Sequence, residues 1–115
     1  IPIRAEGGRI FILNKDLPAD TALLQNYPNP FNLETWIPFQ LAEESDVIIR
    51  IYDIKGRLIR TFNLGRKPPG FYLTKDRAAY WRGLNQNGER VASGVYFYEI
   101  QAGNYKAIRR MTIEK

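Results

Sequence analysis

The chain has neither cysteine nor histidine among its 115 residues. Without cysteine it forms no disulfide and offers no thiolate metal site. Without histidine it lacks the usual general base and the commonest metal ligand. Serine is scarce as well, with only Ser45 and Ser93 present. A serine nucleophile needs an adjacent base, and no imidazole exists to activate either one. Ser93 stands in Ala92-Ser93-Gly94, where a turn serine is expected. Long hydrophobic runs are missing, because charges interrupt every apolar stretch before it reaches membrane-spanning length. Ile1-Pro2-Ile3-Arg4-Ala5-Glu6 has no basic region followed by an apolar one, so it is not a signal peptide. If the protein is exported, its signal lies upstream in a longer parent, and this chain is a fragment. Helical periodicity and internal repeats are absent too. These absences exclude most catalytic chemistries, and the sequence is read as non-enzymatic.

What remains is the material of one domain. Hydrophobic residues make up 44% of the chain, enough for a modest core. The net charge of +5 is unevenly spread. Residues 1–45 carry three Lys/Arg against six Asp/Glu, and residues 46–115 carry fourteen against six. A basic second half suits acidic polymers, anionic surfaces or nucleic acid. The basic residues are scattered and form no dense run, so a solvated strand surface with guarded sheet edges accounts for them. No nucleic-acid partner and no membrane insertion are expected.

Strands and turns fill the sequence. Arg9–Leu13 is a short strand candidate, and Asn14–Asp20 reads as a connector. Residues 1–20 are a lead segment or linker that adds, at most, an extra strand. Residues 21–115 form the domain. Tyr27-Pro28-Asn29-Pro30-Phe31-Asn32 is a rigid turn, since proline fixes φ and drives the preceding residue to extended geometry. Thr35–Leu41 follows as a strand with Ile37, Phe39 and Leu41 on one face. Pro38 has no amide donor, which places this strand at an edge or a bulge. Val47–Tyr52 is the strongest strand, with Val47, Ile49 and Ile51 opposite Ile48, Arg50 and Tyr52. Asp53-Ile54-Lys55-Gly56 turns it into Leu58–Leu64. A Pro/Gly loop is expected over 65–70 and a strand end over 78–81. Asn87-Gly88 marks a tight turn. Gly94–Ala102 and Tyr105–Ile113 make a final hairpin joined at Gly103-Asn104. Turn signals about every ten residues point to an all-β, immunoglobulin-like antiparallel β-sandwich of about seven strands in one domain.

Candidate chemistry is thin. Glu43, Glu44 and Asp46 cluster on an exposed turn, which fixes neither their separation nor their pKa values. Asn85, Asn87, Gly88 and Glu89 faintly echo a calcium loop, but amides replace the required carboxylates and Arg82 stands close by. A hairpin turn explains them, and no metal or other cofactor is expected. Aromatic residues are plentiful, and most are explained as core and cross-strand pairs. Trp36, Phe71 and Tyr72 are those whose burial the pattern leaves open, and they are the candidate partner surface.

Three blocks then stand out in order. They are Asn26-Tyr27-Pro28-Asn29-Pro30-Phe31-Asn32, Val91-Ala92-Ser93-Gly94-Val95-Tyr96-Phe97-Tyr98, and Arg109-Arg110-Met111-Thr112-Ile113-Glu114-Lys115. The turn Tyr52-Asp53-Ile54-Lys55-Gly56-Arg57 lies between the first two. Together, from about Leu23 to Lys115, they resemble the C-terminal sorting domain of the type IX (Por) secretion system, related to the Ig-like domain of the flagellar hook-capping protein. Leu33 departs from the proline usual in that pattern, and Arg82 departs from its aspartate in Trp-Asp-Gly. The stretch 70–81 is also several residues longer than usual.

The resemblance implies a non-catalytic module of a larger exported protein, with a cargo domain upstream. It implies a sorting or surface-attachment signal read by secretion machinery or an attachment protein. The location implied is the cell surface or the medium. The signal residues it implies are Gly94, Val95, Tyr96, Phe97, Tyr98, Lys106, Arg109, Arg110, Met111 and Lys115. A terminal hairpin offers strand edges and a basic surface to a receptor. The alternative reading is a binding or spacer module for a glycan or protein partner beside an extracellular enzyme.

Overall fold

The computed structural model describes the strands over 3–6 and 9–12 and all of residues 17–115. The expected strand end at Leu13 and the connector's start at 14–16 lie outside the described residues. β1 (Ile3–Glu6) and β2 (Arg9–Ile12) pair antiparallel with each other, and among the described strands with nothing else. Nine strands follow: β3 (Ala22–Leu23), β4 (Thr35–Ile37), β5 (Phe39–Leu41), β6 (Ser45–Asp53), β7 (Leu58–Lys67), β8 (Gly70–Tyr72), β9 (Ala79–Trp81), β10 (Gly94–Ala102) and β11 (Tyr105–Ile113). The described residues include no helix.

One layer is a four-stranded antiparallel sheet in the order β11-β10-β6-β7. The other is divided into a three-stranded part, β3-β5-β8, and a two-stranded part, β4-β9. The division falls at Pro38. The expected single strand over 35–41 is cut there, because proline offers no N–H to continue the ladder. The residues before it pair with β9 and those after it with β3 and β8. This cut and two short strands that were not expected, β3 and β8, bring residues 21–115 to nine strands where about seven were expected.

The core lies between the layers. Ile37, Phe39, Leu41, Val47, Ile49, Ile51, Tyr98, Ile100 and Met111 are completely buried. Their spacing of two along each strand places them on inward faces. Full burial of an aliphatic or aromatic side chain of this size contributes about 1.5–3 kcal/mol.

The turns follow their chemistry. Asp53 Oδ1 accepts the amides of Lys55 and Arg57, each at 2.9 Å, while Gly56 takes φ +79°. Gly103 supplies the positive φ, +58°, at the first position of the two-residue loop closing β10 and β11. One expectation is corrected. The Pro/Gly loop shrinks to Pro68-Pro69, because β7 runs on through Gly65 to Lys67 opposite Val47–Ser45. A register shift between Val47 and Ile48 and a φ of +75° at Gly65 let the strand bend and continue.

Candidate functional site

The three sequence blocks meet in the folded chain. The first begins with Asn26, a buried polar residue. Its Nδ2 donates to Thr35 Oγ1 at 3.0 Å and to Pro28 O at 3.3 Å, and its backbone N–H donates to the Tyr98 hydroxyl at 2.9 Å. The Tyr27–Pro28 and Asn29–Pro30 bonds are both cis. The turn lays Phe31 alongside the last block. Phe31 N–H donates to Thr112 O at 3.0 Å, and Phe31 O accepts Glu114 N–H at 2.9 Å. Asn29 Oδ1 accepts Thr112 N–H at 3.0 Å. Lys115 closes on the second block, its ammonium donating to Val91 O and its N–H to Ser93 Oγ.

This seating decides what the outer edge of β11 offers. At Thr112 and Glu114 the edge is occupied by Asn29 and Phe31, and Arg110 O accepts Gln25 Nε2 at 3.0 Å. The hairpin's second strand is therefore capped along its C-terminal end, from Arg110 to Glu114. β10 presents no edge at all, since it pairs with both β11 and β6.

The resemblance-implied residues separate by face. Tyr96, Tyr98 and Met111 point into the core. Arg109 turns the same way at the sheet margin, and its Nε donates to Leu23 O at 2.8 Å. The other face carries Val95 and Phe97 from β10 and Lys106 and Arg110 from β11. Phe97 lies opposite Arg110 on one side and Tyr52 on the other. Next in the ladder come Ile108, Glu99 and Arg50, with Arg50 Nη1 3.6 Å from Glu99 Oε1. The strip on this outer face is thus Val95, Phe97, Tyr52, Ile108, Arg110 and Lys106, with the Glu99–Arg50 ion pair among them. Lys106 and Lys115, at opposite ends of β11, are separated by roughly 30 Å of strand. Tyr52 and Ile108 were not among the candidates, although the alternation of β6 and β11 already sets both opposite the core residues.

The aromatic partner surface does not hold together. Tyr72 is buried, stacked on Phe39 at 4.8 Å, with the Arg77 guanidinium 4.7 Å from its ring centre. Trp36 is half-buried between Tyr27 and Tyr80, and the Lys75 ammonium lies 4.3 Å above its ring. Phe71 stays exposed but pairs across the strand with Gln40, not with Trp36. In the Asn85–Glu89 turn, Asn85 Oδ1 accepts the amides of Asn87 and Glu89. That oxygen serves the backbone. Of the acidic cluster, Glu44 and Asp46 both reach Arg66.

Tyr98 joins these parts chemically. Its hydroxyl donates to Leu24 O at 2.8 Å while accepting from Asn26. Burial pushes its pKa up to about 12, against the lowering effect of Asn26 N–H and Arg109. An unfolded tyrosine ionises near 10, so the unfolded chain releases this proton first. Stability is then intact below about pH 10 and falls as pH rises towards 12, by about 2–3 kcal/mol from this group. Tyr98→Phe is expected to cost about 1–3 kcal/mol at neutral pH, by stranding two buried backbone groups. It is also expected to flatten the alkaline slope. Urea melts from pH 7 to 11 test both, and an unchanged slope in the variant refutes the assignment.

Comparison with known proteins agrees with this geometry. PorZ of Porphyromonas gingivalis, an essential bacterial surface component of the type IX secretion system, matches at TM-score 0.55 and 21% identity. The match covers 79% of this chain and 11% of PorZ. Dimeric latent PorU of the same organism matches at TM-score 0.60 and 17% identity, over 82% of this chain and 9% of PorU. The chain thus corresponds to a small part of either protein, and the likeness is one of fold. No curated protein sequence matches. The model of the FlgD Ig-like domain matches residues 34–106, more than half of the chain, and this stretch holds β4 to β10, strands from both layers of the sandwich. The chain belongs to the FlgD Ig-like domain family.

Proposed function

We propose that residues 21–115 are a non-catalytic module of a larger exported protein, serving as its secretion and sorting or surface-attachment signal. The observation that carries this reading is the division of the matching blocks between core and surface. Tyr96, Tyr98 and Met111 build the sandwich, while Val95, Phe97, Arg110 and Lys106 face outwards beside Tyr52 and Ile108. The signal is then a folded surface of apolar and basic residues, read by secretion machinery or an attachment protein. The fold likeness to a surface component of the type IX system supports the assignment to that route. Residues 1–20 act as the lead to the cargo domain.

The test fuses the full chain to a periplasmically exported reporter in a host with type IX secretion. Reporter is expected at the surface or in the medium. The combined Phe97→Ala and Arg110→Ala variant, shown to be folded by its near-ultraviolet spectrum, is expected to hold reporter in the periplasm. Equal export by the folded variant refutes the outer face as the signal.

A further inference from the structure

The sandwich has an open seam between β7 and β9, and its chemistry is specific. Among the described strands β9 pairs only with β4. Trp36 spends its backbone N–H and C=O on Tyr27, so its opposite number Tyr80 is in a non-hydrogen-bonded pair. Tyr80 N–H and C=O therefore point away from β4 towards the seam. Among the described residues no hydrogen bond reaches either group. Across the seam, Gln86 covers part of the β7 edge, donating to Ile59 O at 3.0 Å and accepting Thr61 N–H at 2.9 Å. Beside it opens a cleft of about 170 Å³ lined by Arg60, Phe62, Tyr80, Trp81, Arg82 and Leu84.

Two arginines line this cleft. Arg60 lies on the inward side of β7, opposite Ile51, with its Cζ 4.9 Å from the Phe62 ring centre and Nη1 donating to Asn85 O. Its Nε is shielded from solvent and has no hydrogen-bond partner among the described residues. Arg82 is exposed. Among the described residues neither arginine forms a salt bridge. A buried guanidinium N–H without an acceptor is costly, and a carboxylate is its natural complement. An inward-pointing charge also guards an edge strand against casual pairing. That role requires only the charge, and it leaves the Nε unsatisfied.

We infer that an extended peptide segment carrying an acidic side chain docks in this seam. Its backbone pairs with Tyr80, and its carboxylate sits between Arg60 Nε and Arg82. The free main-chain donor and acceptor favour a peptide over an acidic glycan, which brings no matching strand. The apolar walls from Phe62, Leu84 and Trp81 suit the flanking β-branched side chains. The site is on a different face from the outer strip, so its failure leaves the export reading untouched.

The test uses the full chain and a capped hexapeptide of threonine and valine with one central glutamate. Its glutamine counterpart and a galacturonate hexamer are the other probes. Heteronuclear NMR follows the Tyr80 amide, the Trp81 indole N–H and the Arg60 Nε–H. The glutamate peptide is expected to shift all three saturably. The glutamine peptide, and the glutamate peptide on Arg82→Gln, are each expected to bind about tenfold more weakly. Equal affinity for the two peptides overturns the inference, as do shifts confined to β11 or saturation by the galacturonate alone. Absence of any saturable shift overturns it as well.

Discussion

Deletion of Arg109–Lys115 is expected to unfold the domain. The segment contributes Met111 and Ile113 to the core, and both are buried. Losing a buried side chain of this size costs about 2–5 kcal/mol. Two such losses rival the roughly 5–15 kcal/mol that holds a typical domain together. The deletion also removes the acceptor for Phe31 N–H and the donors to Asn29 and to Phe31 O, which releases the Asn26–Asn32 turn. Near-ultraviolet circular dichroism and amide dispersion check this directly, and a native spectrum from the shortened chain refutes it. A deletion that abolishes export therefore reports lost structure before it reports a lost signal. Substitutions at the exposed Arg110 and Lys106 avoid the confusion.

Trp81→Ala is expected to be the most damaging single truncation, at about 3–5 kcal/mol. Trp81 is almost fully buried, edge-on to Phe31 at 5.7 Å and to Tyr96 at 5.9 Å. Such aromatic pairs add about 0.5–1.5 kcal/mol beyond their buried area. Its Nε1 donates to Leu84 O at 2.8 Å, which anchors the loop leading to the Asn85 turn. Phe31 belongs to the first sequence block and Tyr96 to the second, so the variant is expected to loosen their junction. The neighbouring Tyr80→Ala is the control. Its ring lies on the outer side and is 41% exposed, so a much smaller loss is expected in urea melts. Comparable losses from both variants refute the central place given to Trp81.

Much of this architecture is visible in the residues. The period-two pattern of Val47, Ile49 and Ile51 reports one buried face. The Gly103-Asn104 pair marks the final hairpin, whose two strands lie where the sequence places them. Pro38 signals trouble in its strand, although not its form. Whether a chain breaks, bulges or changes partners at a proline depends on which strands arrive on either side, and those are distant in sequence. Tyr72 shows the same limit. Phe39 stacks on it and Arg77 approaches its ring, and neither contact follows from local pattern. The outer strip is partly legible, since alternation assigns Tyr52 and Ile108 to a face. The meeting of Asn29 with Thr112 has no local signature, because the hydrogen bond spans 83 positions of chain. The same holds for the cleft that Arg60 and Arg82 both line.

The bond from Phe31 to Thr112 and Glu114 has a temporal side. The sandwich closes only when a segment near its start meets one near its end. Arg109 to Leu23 and Tyr98 to Asn26 repeat this, across 86 and 72 positions. Contacts of such separation raise contact order and slow folding. A chain emerging from a ribosome or a translocation pore cannot complete this domain while residues 109–114 are still inside. Its β10 strand then waits with one unpaired edge, open to chaperones and to aggregation. Completion of the fold reports that residues 109–114 have emerged. A receptor for the outer strip that requires β11 in place reads only chains whose synthesis and passage have gone that far.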